Sequence, residues 1–267
     1  MDDMKLFKIK NLILFLIYFS LFASLQAQNK KPEVGIEEQL GKYLPINLEF
    51  YDEQGYLLKL SEIIDKPTIL NLVFFECKGI CTPLLTELAE NVNKVDLEPG
   101  KDYQILTVSF DHTEKPQLAA AKKINYVKLL ERPIQPGAWR FMSGDSINIK
   151  TLTDAVGFYY KKEEDQFIHA GALIFISHDE KITRYLLGIE YLPFNIKMAV
   201  IEASEGKVGP TIAKLLKFCY AYDPEGRTYA LNITRIIGIG MIFLIAAFVT
   251  FLTIKPKKAK KVEDKRV

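Results

Sequence analysis

Two near-continuous apolar runs, Thr68–Phe75 (TILNLVFF) and Tyr103–Phe110 (YQILTVSF), constrain the fold of this chain more than any other feature. Neither alternates between apolar and polar residues. Each therefore reads as a strand covered on both faces, as in a parallel sheet between layers of helix. Between them, Thr82–Lys94 reads as a helix, with Pro83 tolerated in its first turn and Leu84, Leu85, Leu88 and Val92 along one side. A second helix, Lys115–Leu130, is opened by Pro116. Ala138–Met142 reads as a short strand, and Ile147–Val156 as a helix stopped at Gly157. Ala170–Ser177 and Ile182–Leu187 bracket the polar turn His178-Asp-Glu-Lys181 and form a hairpin, and a last helix runs from Pro193 to Ser204. Ahead of all these, Leu48–Leu60 holds two short apolar runs around a turn at Gly55, a further hairpin. The order calls for an α/β domain over residues 45–204, a mixed sheet flanked by helices. Residues 28–44, polar and carrying Pro32 and Gly35, read as a linker into it.

The chain has 267 residues, 49% hydrophobic and 25% charged, enough to bury a sizeable core, which excludes a disordered or disulfide-stapled chain. The net charge of +2 is uneven: residues 255–267 carry +5 and residues 1–10 carry +1, leaving the body at −4. A mildly acidic body argues against a nucleic-acid partner.

The two ends address a membrane. Lys5, Lys8 and Lys10 precede an uncharged run from Leu12 to Leu25 and then small or polar residues, so residues 1–27 read as a signal peptide cleaved after Ala27, or as an N-terminal anchor. Ile236–Ile254 is 19 residues without a charge, nearly long enough at about 1.5 Å per residue to cross a hydrocarbon core of about 30 Å. The expectation is a C-terminal transmembrane helix over 233–254, preceded by a juxtamembrane extension, 205–232, and followed by a basic cytoplasmic tail, 255–267. By the positive-inside rule the soluble domain then faces the periplasmic or outer side of the inner (cell) membrane.

Three cysteines and three histidines carry the candidate chemistry. Cys77 and Cys81 stand where the first buried strand hands over to a helix, in Phe75-Glu-Cys-Lys-Gly-Ile-Cys-Thr-Pro83. The helix N-terminus favours an anion, so at least one of these thiols should ionise more easily than a free one, with Lys78 adding to the effect. The C-x3-C spacing sets the sulfurs one helical turn apart, which suits either a disulfide or two thiolates on one soft metal ion. It is not the C-x-x-C-H of c-type haem attachment, and no second Cys/His pair completes a zinc site. His169 lies at the start of the ALIFIS strand, where a histidine taken alone is more often a satisfied half-buried residue than a ligand. His112 follows the second strand and is a second candidate, because strand ends carry the site in such sheets. His178 lies in the hairpin turn and reads as solvated. Cys219 reads as a buried apolar residue or as an odd reactive thiol.

The strand ending in C-x3-C-x-P, the ILTVSFD stretch followed by a helix, the W-x-F at Trp139 and the F-x-H before a hydrophobic strand together resemble the Sco/SenC family over roughly residues 45–200. The resemblance implies a thioredoxin-like fold and a membrane-tethered protein serving the assembly of the binuclear copper centre of cytochrome c oxidase. By position, Cys77 and Cys81 match the copper-binding thiols and His169 the distal copper-binding histidine. The family's Cys-Pro-x-x-Cys-Pro differs here, with Lys78 in place of the first Pro and Thr82 before Pro83, and its Asp-Pro is Asp111-His112. The Cys219–Pro224 stretch (CYAYDP) resembles a bacterial subgroup with a C-terminal membrane span.

Two functions are expected from this set. Two thiolates suit Cu(I) and an added imidazole suits Cu(II), so a copper chaperone would use all three residues and pass its ion to a copper-bearing oxidase subunit or another copper or redox protein. A thiol–disulfide oxidoreductase would use Cys77 and Cys81 as a redox pair without a metal. Such an enzyme generally has a cis-Pro before the strand that His169 precedes; Ile168 and His169 occupy that stretch here.

Overall fold

A computed structural model describes residues 32–45, 47–209, 220–223 and 228–231, together with the helical positions Met241, Leu244, Ile245 and Phe248. The chain divides into two compact units, Met1–Glu33 and Val34–Val267, and the second carries everything that follows.

The two apolar runs form the centre of a five-stranded sheet. β4 (Thr68–Val73) and β5 (Gln104–Ser109) are buried at every position, so both faces are covered. They pair in parallel from Thr68↔Gln104 to Val73↔Ser109, and β6 (Trp139–Met142) continues the parallel set beside β5. On the other side of β4 lies β10 (Ala172–Ile176), antiparallel, and β11 (Ile182–Leu187) closes that edge, again antiparallel. The order is β11-β10-β4-β5-β6. Parallel neighbours need crossovers, which α2 (Cys81–Lys94) and α3 (Pro116–Val127) supply. The α2 helix also packs against α5 (Pro193–Ser204), which lies on β10, β11 and β4. This mixed arrangement bears out the expected α/β sheet.

Local chemistry sets the element ends. Pro116 and Pro193 occupy first helical positions, where a missing N–H costs nothing. Asp145 caps α4 (Ser146–Ala155) through its carboxylate, which accepts from Ile147 N and Asn148 N, each at 2.8 Å. Gly157 then stops the helix at φ +63°, and a side chain there would run into the Glu37 carbonyl. The expected hairpin at Gly55 forms as β2 (Glu49–Tyr51) against β3 (Leu57–Lys59), and Leu60, expected within it, opens the short helix α1 (Leu60–Ile63).

Two segments differ from the sequence reading. Residues 28–44 are no linker from Val34 onward: β1 (Gly35–Ile36) pairs with β7 (Phe158–Tyr159), Leu44 N bonds Glu180 O at 3.0 Å, and Ile36 and Leu44 are buried. A two-residue strand and isolated apolar side chains leave no periodic signal. The second is the hairpin of β8 (Lys161–Glu163) and β9 (Gln166–Ile168), in a charged KKEEDQ stretch to which the sequence assigns no element. Its turn places Glu164 at φ +53°.

The signal or anchor 1–27, most of 205–232, the span expected over 233–254 and the tail 255–267 lie outside the described residues, apart from β12 (Tyr220–Asp223), its partner β13 (Thr228–Leu231) and the four helical positions named above. Among the described residues no helix is long and apolar enough to cross a membrane.

Candidate metal centre

The C-terminal end of β4 and the N-terminal end of β10 lie side by side because the two strands are antiparallel neighbours. That topology brings residues after Val73 together with residues before Ala172. Past Val73 the chain turns through Phe75 and Glu76, with Cys77 N donating to Phe74 O at 3.3 Å, and enters α2 at Cys81 itself.

The sulfur atoms of Cys77 and Cys81 and the imidazole of His169 all lie within 4.8 Å of one another. Both cysteines are free thiols, Cys77 half-buried and Cys81 buried. His169 is only 2% exposed. Its Nδ1 lies 3.1 Å from Ala170 O and its Nε2 lies 3.3 Å from Cys81 Sγ. A carbonyl only accepts, so Nδ1 carries a hydrogen toward Ala170 O, and Nε2 is left facing the sulfurs. The ring is packed among Phe110, Phe74 and Phe158, with centroids 5.1, 5.9 and 6.1 Å away. These contacts fix its plane and keep water from three sides.

The two thiols differ in acidity. The hydrogen bond from Cys81, opposed by partial burial and reinforced by His169 and the N–H groups of Cys81 and Gly79, lowers Cys77 to about 4. Gly79 N itself lies 3.3 Å from Cys77 Sγ. Burial raises Cys81 well above the ordinary thiol range, and Cys77 adds to the rise through their hydrogen bond and its charge. The easily ionised thiol is thus the outer one, and the helix N-terminus at Cys81 does not outweigh burial. Cys77 and His169 line a cavity of about 180 Å³ with Lys78, Gly79, Ile80, Gln166 and Phe167.

This donor set fits copper. Two sulfurs and an imidazole are the soft and borderline ligands that hold Cu(I) and Cu(II), and a hydrogen-bonded Nδ1 is the usual outer support of a ligating histidine. His112 and His178 are both exposed and stand outside the group. Cys219 lies outside the described residues. Trp139, part of the motif that carries the resemblance, is fully buried and donates from Nε1 to Thr107 Oγ1 at 2.8 Å, a core contact.

Two supporting residues escaped the sequence reading. Gln166, from the unexpected hairpin, accepts Lys78 N at 3.3 Å. Glu114, 6% exposed, accepts the N–H groups of Phe75 and Glu76. Its position just past a buried parallel strand is the only signal that marks it.

A model of the SCO1/SenC family matches residues 38–191, more than half of the 267. The chain belongs to the SCO1/SenC family. A "SCO1 protein homolog" of Bacillus subtilis is 25% identical over 161 residues, 57% of this chain and 80% of that one. The solved structure of BsSco, described as a member of the Sco family of cytochrome c oxidase assembly proteins, shares 21% identity with a TM-score of 0.50, covering 64% of this chain and 98% of its own. That of Arabidopsis thaliana ScoI with copper bound shares 21% with a TM-score of 0.49, covering 62% and 99%. The Sco fold, thioredoxin-like and mixed α/β, is therefore that of residues 38–191.

Proposed function

We propose that this Sco chain is a membrane-anchored copper-binding chaperone that delivers copper to the binuclear copper site of a cytochrome c oxidase. The observation that carries the reading is the convergence of Cys77, Cys81 and His169 within 4.8 Å. Family membership, and the description of the relative BsSco as one of the cytochrome c oxidase assembly proteins, support the partner: the copper-bearing oxidase subunit, or another copper or redox protein.

Copper is the cargo, and the three residues would hold it with different grips. Cys77 stands half-exposed beside the cavity, whereas Cys81 and His169 are buried. An incoming partner thiolate therefore meets Cys77 first, and exchange of one ligand at a time passes the ion outward without releasing it to water. The uncharged stretch 236–254, the basic tail 255–267 and the N-terminal signal or anchor support attachment to the inner membrane, with the domain on its periplasmic or outer side. Holding donor and acceptor on one surface raises their effective concentration.

A second reading is favoured by one observation, the free thiol pair with an easily ionised outer member. As an oxidoreductase, Cys77 thiolate would attack a partner disulfide, forming a mixed disulfide and releasing one partner thiolate. Cys81, deprotonated, would then close the Cys77–Cys81 disulfide and release the other, moving two electrons to the partner.

Titration of the reduced soluble domain with Cu(I) under anaerobic conditions, with spectra after oxidation, separates the two. About one copper per chain, with thiolate-to-Cu(II) charge-transfer bands, is expected for this donor set. No uptake together with rapid reduction of a disulfide substrate by the reduced, metal-free protein would overturn the chaperone reading. Fractionation of cells tests the anchor, since loss of residues 233–267 should release the domain from the membrane fraction once the signal is cleaved.

A further inference from the structure

Glu114 is a buried acid that coordinates nothing in the donor set, yet it bonds the backbone leading into it. It lies between β5 and α3. Its Oε2 accepts from Phe75 N at 2.7 Å and from Ser109 Oγ at 2.5 Å, and its Oε1 accepts from Glu76 N at 2.9 Å. The β4–β5 ladder ends at Val73↔Ser109, and Phe75 and Glu76 lie past the end of β4. Phe75 and Glu76 are the two central residues of the turn that Cys77 N closes on Phe74 O at 3.3 Å. Both of their donors are thus held by one carboxylate from the neighbouring strand's exit loop.

The arrangement has a cost. Burial raises the Glu114 carboxyl above its ordinary range, against the hydrogen bonds from Ser109, Phe75 and Glu76. A neutral side chain would avoid that cost, but an amide presents only one acceptor atom and would set its N–H2 against a backbone donor. Two oxygens facing two successive N–H groups therefore need the carboxylate.

We propose that Glu114 is a positioning residue for Cys77: by clamping both free N–H groups of the Phe74–Cys77 turn, it fixes where the Cys77 sulfur stands relative to Cys81 and His169. The inference rests on reading those three residues as the copper site. Glu114 does not touch the ion; it holds the turn in its metal-ready form before the ion arrives. Groups that orient ligands from outside in this way commonly change metal affinity by about 10–100-fold.

Competition of the whole chain with a chromophoric Cu(I) chelator, comparing wild type with Glu114→Gln and Ser109→Ala, tests this. Ser109→Ala removes a bond to Glu114 and some stability but leaves both backbone clamps. The expected result is that Glu114→Gln weakens Cu(I) binding about tenfold or more while Ser109→Ala stays within about twofold of wild type. Wild-type affinity in Glu114→Gln, or an equal loss in both variants, would overturn the proposal. Amide hydrogen exchange on metal-free wild type gives an answer even where the glutamine variant does not fold: the Phe75 and Glu76 amides should exchange at least about a hundredfold more slowly than free peptide. Unprotected amides would mean the turn is not held. Failure of the wild type to take up Cu(I) would instead overturn the copper reading, and the exchange result would still decide whether Glu114 clamps the turn.

Discussion

His169 Nε2 stands 3.3 Å from Cys81 Sγ across 88 positions of sequence, with Nδ1 tied behind it to the Ala170 carbonyl. The ring therefore faces the sulfurs without needing an ion to turn it. Replacing His169 by Ala should leave both thiols to hold Cu(I), with affinity falling about tenfold or less, while the Cu(II) form weakens about a hundredfold or more. Chelator competition and the intensity of the thiolate-to-Cu(II) bands measure the two effects. Unchanged Cu(II) retention would remove His169 from the site.

Thiol acidity sets a pH dependence. With Cys77 lowered to about 4 and Cys81 raised, the outer sulfur is ionised from about pH 5 upward and the inner one is not. Alkylation of the reduced, metal-free chain by iodoacetamide should therefore rise between about pH 3 and 5 and then level off, with peptide mapping locating the label on Cys77. An ordinary thiol at pH 6 is only a few tenths of a per cent thiolate. The lower intrinsic nucleophilicity of an acidic thiolate offsets part of that advantage. For stability the sign is that of a depressed acid: the Cys77 contribution is present above the unfolded-state value and declines as pH falls toward about 4. A labelling curve rising only near pH 8–9 would contradict the hydrogen-bonded geometry.

The segment before β2 contributes to the fold. A chain starting at Val34 should keep the stability of one starting at residue 28, whereas a chain starting at residue 45 loses Ile36 and Leu44 from the core along with the β1–β7 pairing. At about 1.5–3 kcal/mol for each buried aliphatic side chain, the loss should be roughly 3–6 kcal/mol. Urea melts of the two shorter chains measure it.

Gly171 and Gly188 give a matched pair next to the site. A Cβ at Gly171 would lie 2.7 Å from Gly188 O, so Gly171→Ala pushes β10 and β11 apart two residues from His169. A Cβ at Gly188 meets nothing within 4 Å, but φ there is +102°, so Gly188→Ala is strained without crowding. Both should lower stability, by about 1–3 kcal/mol. Only Gly171→Ala should also weaken Cu(II) binding, read from the same charge-transfer bands.

What could be read from the sequence follows from the length of each signal. β4 and β5 announce themselves because six successive buried positions admit no polar alternation, and α2 because its leucines recur at helical spacing. The C-x3-C pair was legible through its place at a strand-to-helix handover. His169 was not, since a histidine before an apolar strand has two readings and only the antiparallel placement of β10 beside β4 chooses between them; the family resemblance, not its own neighbours, pointed to it. Glu114 and Gln166 were invisible for a related reason. Their partners are backbone atoms of a turn 38 and 88 residues away, and no local pattern encodes such a contact. β1, β8 and β9 are too short and, in the hairpin, too charged to show a period.

The donors come from opposite ends of the domain's core: two precede most of the sheet in the chain, and the third arrives only when β10 docks. An ion gripped by all three consequently acts as a latch on the whole domain. Its binding free energy adds to that of folding, by an amount that grows as RT ln(1 + [L]/Kd). A loaded chain should therefore resist heat and proteolysis better than an empty one, and handing over the ion leaves behind a protein that is easier to take apart.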